Sequence, residues 1–269
     1  MLWIPFRRAV HNPIFQGGLE SFGRQHTRWT HGLNYLAALS MVLFVTWPKE
    51  GFLSLRDLPF TYNALGGSVL IILAYLNLSQ GARTLLHTRD LRLGEWLALS
   101  PIHAGAFLCG YLAVGCLELL FFWSLSCPLM VLAAGVAGES LAHLGAGIVL
   151  TLVCLVSYRI VGVALLLWFE RDEFILYVLV RLLYVCFILI SGFIAPLSNP
   201  VLAFADTSLW PRRLGTLMLP GVALQGWVAT VGLHLLLGGL FFIIALVRVR
   251  WLQRRTLTSG PTEGETSYG

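Results

Sequence analysis

The chain has 269 residues, 57% of them hydrophobic and 12% charged, with a mean hydropathy of +0.79 and a formal net charge of +5. A soluble domain carries roughly 25% charged residues, so this chain cannot coat a water-facing surface and must place its apolar surface in lipid. The basic residues, 17 Arg and the single Lys49, cluster at the ends of apolar runs, which is the pattern of topology selection rather than of nucleic-acid binding.

Met1 to His31 mixes Leu2, Trp3, Ile4, Phe6, Ile14, Phe15, Leu19 and Phe22 with Arg and His, and reads as an amphipathic helix in the cytoplasmic interface. Lacking a continuous apolar core, it does not read as a cleaved signal peptide. A helix needs about 20 apolar residues to cross a bilayer. Six such runs follow, near Gly32–Trp47, Thr61–Gln80, Ala104–Ser124, Ala142–Trp168, Phe174–Ala195 and Val222–Val247. The first is short but flanked by Trp29 and Trp47 as interface anchors. Pro128 to Val136 is too short to cross, and reads as a re-entrant or interfacial piece or as an extension of the third helix kinked at Pro128. The domain reading is a cytoplasmic segment over 1–31, a six-span membrane domain over 32–247 and a cytoplasmic tail over 248–269. The tail's end, rich in Thr, Gly, Ser and Glu, has the composition of disorder.

Twelve arginines fall on one side of these spans: Arg7, Arg8, Arg24, Arg28, Arg83, Arg89, Arg92, Arg171, Arg248, Arg250, Arg254 and Arg255. The other side has Lys49, Arg56, Arg212 and Arg213. The positive-inside rule makes the arginine-rich side cytoplasmic, with both ends inside. The expected fold is therefore an all-α, multi-pass integral membrane protein with six transmembrane helices, in the plasma (inner) membrane. The five cysteines form no CxxC pair, so neither a disulfide framework nor a zinc site is indicated.

The connection between the second and third spans is distinctive. In Arg83 to His103 the apolar residues Leu85, Leu86, Leu91, Leu93, Trp96 and Leu97 recur at roughly helical spacing among charges. An amphipathic loop of this length reads as a docking surface for a cytoplasmic partner or as a surface helix with none. With Asn12-Pro13, Trp47-Pro48, and Arg89 followed by Glu95-Trp96-Leu97-Ala98-Leu99-Ser100-Pro101-Ile102, the order, spacing and layout resemble permeases of type-2 ATP-binding-cassette transporters, most of them exporters. Gln16-Gly17-Gly18 and the residues before Glu95 depart from that family's usual pattern. The resemblance implies half of a transmembrane pore, completed by a second copy or a related permease. Each permease would rest on a cytoplasmic ATP-binding-cassette subunit that binds ATP and Mg. It also implies that Arg89, Glu95, Trp96, Leu97, Ser100 and Pro101 belong to a coupling helix that receives the ATPase's motion. The chain has no G-x-x-x-x-G-K-[ST] phosphate loop, and its one lysine, Lys49, falls on the non-cytoplasmic side. It needs no cofactor of its own, and ATP hydrolysis must reside in another polypeptide.

Ionisable residues in mid-membrane cost about 2.5–3.5 kcal/mol on insertion scales and face a partner or water. Glu118 falls about 21 Å and Arg159 about 14 Å from the cytoplasmic end of their spans at 1.5 Å per residue. The two are thus within reach of each other, or else are satisfied separately. Arg181 is expected to snorkel toward Glu170, Asp172 or Glu173, His234 to bond a neighbouring helix, and Asn77 and Ser79 to bridge helices. Pro196 to Pro220 reads as short outer helices, a lid or a plain interfacial loop. Two further functions stay open: a secondary, proton-coupled transporter working through Glu118 and Arg159, and a non-transporting membrane scaffold. No base–nucleophile set supports an embedded enzyme.

Overall fold

The computed structural model describes residues 13–24, 26–48, 60–83, 102–169, 172–208, 216–219 and 222–258. Eight helices lie in these segments: α1 (Pro13–Arg24), α2 (His26–Thr46), α3 (Phe60–Arg83), α4 (Ala104–Ala137), α5 (Leu141–Trp168), α6 (Glu173–Ile194), α7 (Pro200–Asp206) and α8 (Gly226–Thr258). The one β structure among the described residues is a hairpin, β1 (Thr216–Leu219) antiparallel to β2 (Val222–Gln225), with Thr216 opposite Gln225. The apolar run taken as the sixth span therefore begins as a strand and becomes helical only at Gly226.

Five helices, α3, α4, α5, α6 and α8, are long and apolar enough to cross a membrane. The chain is thus a largely helical, multi-pass membrane protein. Helix α2 is not among the five, because His26, Arg28, His31 and Asn34 dilute its first half. Its outward side chains behave like those of the other spans, Phe44 being 73% exposed, as Phe174 (75%), Phe193 (91%) and Leu236 (74%) are on α6 and α8. Aromatic and aliphatic surface of this extent is not tolerated in water and marks the lipid-facing side.

Helix α4 runs unbroken through Pro128 to Ala137, so the short apolar piece extends the third span. The missing proline N–H is tolerated because membrane helices re-satisfy the freed carbonyl locally. Gly138, with φ +71°, ends α4 in the left-handed cap that its lack of Cβ permits, and Ser140 caps α5 by accepting from the His143 amide. A tight antiparallel turn results.

Helices α3 and α5 form the centre of the bundle. They cross at glycines: a methyl at Gly162 would run into the Leu78 carbonyl, and one at Gly81 would lie 2.9 Å from the Arg159 carbonyl. Such close backbone approach is how small residues drive helix association where lipid supplies no hydrophobic contrast. The main core holds Tyr35, Leu39, Leu65, Leu70, Leu73, Phe122, Leu155 and Phe204. A second cluster joins Ala104, Phe107, Leu108 and Tyr111 of α4 to Leu167 of α5 and Val249 of α8, with Ile14 of α1 packed against it.

Helix α7 closes one end of the bundle. Phe204 lies between α3 and α5 where a Cβ at Gly66 would overlap its ring, and 5.0 Å from the Tyr62 ring centroid. Helix α6 changes to π-helical geometry over Cys186–Ile190. There the Ile188 carbonyl accepts from Asn199 Nδ2 at 2.8 Å, while Asn199 Oδ1 caps α7 by accepting from Val201 and Leu202. One side chain thus fastens α7 to α6.

Candidate functional site

The site is built around the carboxylate of Glu118 on α4. At 6% exposure it is buried, and each of its oxygens meets a different arginine. Oε2 accepts from Arg159 Nη2 of α5 at 3.1 Å, and Oε1 accepts from Arg28 Nη2 of α2 at 2.6 Å. The expected approach of Glu118 and Arg159 is present, and Arg28, assigned from sequence only to the topology-setting N-terminal segment, joins it. The polar start of α2 hid Arg28, because the apolar run begins only at Gly32 and the helix at His26.

Arg159 is 2% exposed. Its Nη1 donates to Gln80 Oε1 of α3 at 3.4 Å, and its guanidinium carbon lies 6.0 Å from the Tyr111 ring centroid, at the edge of cation–π range. Nε has no hydrogen-bond partner. Space for this guanidinium exists because residue 115 is glycine; a Cβ there would stand 2.9 Å from Arg159 Cζ. Four helices are thus tied at one point, with two cations on one anion. Removing Glu118 would leave the buried Arg159 charge uncompensated, whereas removing either arginine leaves the carboxylate with the other. The arrangement can act electrostatically and mechanically, by holding two guanidinium groups on one carboxylate.

His234 on α8 is occupied on both nitrogens. Nδ1 faces the Thr230 carbonyl at 2.9 Å and Nε2 faces the Tyr158 hydroxyl at 3.0 Å. A carbonyl only accepts, so Nδ1 carries the proton, and Nε2 of the neutral ring then accepts from Tyr158. The adjacent Ser157 donates to the His234 carbonyl at 2.8 Å, with Gly238 packed close against it. His234 therefore joins α5 to α8 as a structural contact, as its mid-span position leads one to expect.

Two expectations are corrected among the described residues. Arg181 does not reach Asp172 or Glu173, and Glu170 lies outside the described residues; Arg181 Nη1 donates to the Tyr177 carbonyl at 3.3 Å and its guanidinium lies over the Tyr177 ring. The residue one turn back offers both a carbonyl and an aromatic face, a nearer solution than the helix end. Asn77 does not bridge helices either, because its Nδ2 donates to Leu73 O of its own helix at 2.8 Å.

Arg89, Glu95, Trp96, Leu97, Ser100 and Pro101, expected from the resemblance to form a coupling helix, lie outside the described residues. The chain after them is described. His103 caps α4 by accepting from the Gly105 amide, and the Ile102 carbonyl accepts from Gln253 Nε2 of α8 at 2.9 Å. Among the described residues no group of three or more His, Cys, Asp or Glu side chains is placed to hold a metal ion, and the five cysteines are free thiols. No protein-family model and no curated protein matches the chain.

Proposed function

We propose that this chain is the transmembrane permease subunit of an ATP-binding-cassette exporter in the plasma membrane. It spans six times, α2 included, with both ends in the cytoplasm. A separate subunit hydrolyses ATP, and a second copy or a related permease completes the pathway. The observation that carries this reading is the convergence of three elements at one end of the bundle. Ile14 of α1, Ile102 just after the Glu95–Pro101 motif, and Val249 and Leu252 of the arginine-rich end of α8 pack in one apolar cluster. Helix α1, the residue that leads into α4 and the end of α8 thus lie together, where a partner can touch all three. The Asn12-Pro13, Trp47-Pro48 and Glu95-to-Pro101 motifs support the same reading.

The Glu118 cluster fits a moving part of such a machine. It joins α2, α3, α4 and α5 through charge-assisted bonds that hold one geometry and can be exchanged for another. A proton-coupled carrier is less well supported, because both Glu118 oxygens are already engaged by guanidinium groups.

The test is affinity purification of the tagged chain from its native membrane, unaltered and with Glu95→Ala or with Trp96→Ala and Leu97→Ala together. The reading expects an ATP-binding-cassette subunit with the unaltered chain and its loss from the variants. An ATPase retained equally by all three would reject the proposed contact; its absence from the unaltered complex would reject the function.

A further inference from the structure

We infer that the cytoplasmic end of α8 braces Ile102, where the chain enters α4, and that Gln253 is the positioning residue that passes displacement of Ile102 to the helix bundle. The inference rests on the proposed function for what the displacement does, but the brace itself rests on the coordinates.

Helix α8 does not stop where its apolar run ends at Val247; it continues to Thr258. Its 33 residues make a rod of about 50 Å at 1.5 Å per residue, longer than the roughly 30 Å hydrocarbon core. Just past Val247 the rod is pinned. Arg248 Nε donates to the Leu167 carbonyl in the last turn of α5 at 3.0 Å. Its guanidinium carbon lies 5.1 Å from the Trp168 ring centroid and 4.3 Å from that of Trp251. A cation at a helix C-terminus, satisfying a terminal carbonyl and flanked by two indoles, is a firm anchor.

Five residues further along, about 7.5 Å by the helical rise, Gln253 Nε2 donates to the Ile102 carbonyl at 2.9 Å, a contact between residues 151 apart in sequence. Ile102 follows Ser100-Pro101 directly and precedes the first turn of α4, so its carbonyl has no place in a helical ladder and takes an outside donor. Leu252, beside Gln253, packs into the cluster of Ala104, Phe107 and Leu108. A push on Ile102 therefore reaches α8 beyond its anchor at Arg248. A stiff rod pivoting there moves the opposite way at mid-depth, where Ser157 and Tyr158 hold it through His234.

The test uses the full complex of the chain with its ATPase in lipid nanodiscs. Gln253→Ala and Gln253→Glu remove the donor; Gln253→Lys keeps one. The expected result is a fall of about fivefold in permease-dependent stimulation of ATP hydrolysis per complex for Ala and Glu, the factor for losing one hydrogen bond, with stimulation retained by Lys. A purely packing role would lower complex yield or melting temperature without this donor dependence. In parallel, amide hydrogen exchange over residues 102–108 of the isolated chain should rise for Ala and Glu and not for Lys. Unchanged exchange in all three variants overturns the brace, whether or not an ATPase is found. Changed exchange with unchanged stimulation overturns the transmission of movement. Failure of the unaltered chain to bring down an ATPase rejects the proposed function while the exchange measurement still decides the brace.

Discussion

Glu118→Ala is expected to be among the most destabilising single substitutions in the bundle. Among the described residues it leaves Arg159, 2% exposed, with Gln80 as the remaining side-chain acceptor at 3.4 Å, and it removes the acceptor of Arg28 Nη2. Taking one partner from a buried ion pair costs about 3–5 kcal/mol. For a chain of this size each kcal/mol shifts the melting midpoint by about 2–4 °C, so the expected fall is roughly 6–20 °C. Glu118→Gln keeps the volume and one acceptor oxygen and should fall by about half as much. Combining Glu118→Leu with Arg159→Met removes both charges of the best-buried pair and should recover part of the loss, because matched apolar groups can replace a buried pair at little cost. The assay is thermal unfolding of the purified chain in detergent, followed by fluorescence-detected size exclusion. If Glu118→Ala lowers the midpoint by less than about 2 °C, or the double variant loses the sum of its two singles, the three side chains are not energetically coupled and the clasp has no role in stability.

Further outcomes follow from the packing. Gly162→Ala should destabilise by about 1–3 kcal/mol, since the new methyl meets the Leu78 carbonyl of a neighbouring backbone, whereas Gly145→Ala, with open space around it, should be neutral or slightly stabilising; thermal melting separates the two. Tyr158→Phe removes the donor to His234 Nε2 and should cost about 1 kcal/mol in the same assay. Asn199→Ala deletes the α7 cap and the bonds to Ile188 and Ser191. Limited proteolysis should then cut residues 195–208 faster, and an unchanged cleavage rate would show that Asn199 does not hold α7.

The apolar runs made α3, α5 and α6 legible to within a few residues, because charges, glycines or helix caps bound each of them. Three features were not legible, for different physical reasons. The polar first turns of α2 carry no hydropathy signal, so its start at His26 and the role of Arg28 were missed. The continuation of α4 through Pro128, by contrast, was one of the readings open from sequence, and it occurs in a setting where the alternative to a helix is unpaired backbone in lipid. The hairpin of Thr216–Leu219 with Val222–Gln225 lies where the apolar run reads as the start of a span, and the π-helical turn at Cys186–Ile190 meets Asn199 at Ile188, a contact that no local pattern encodes. At the candidate site, depth along the helix was enough to bring Glu118 and Arg159 together. Gln80 and Gly115, the groups that receive and make room for the guanidinium, sit in apolar spans without any motif.

The central claim is that this chain conducts movement supplied by a nucleotide-hydrolysing partner that docks on its cytoplasmic end. Quantitative mass spectrometry of the intact complex, isolated from native membrane with the tag on this chain, tests it most directly. The account predicts an ATP-binding-cassette subunit in equal numbers with the permease chains and cross-linked to residues 84–101. A complex containing no nucleotide-hydrolysing chain, or one whose cross-links all fall on the Lys49 side of the bundle, would contradict it.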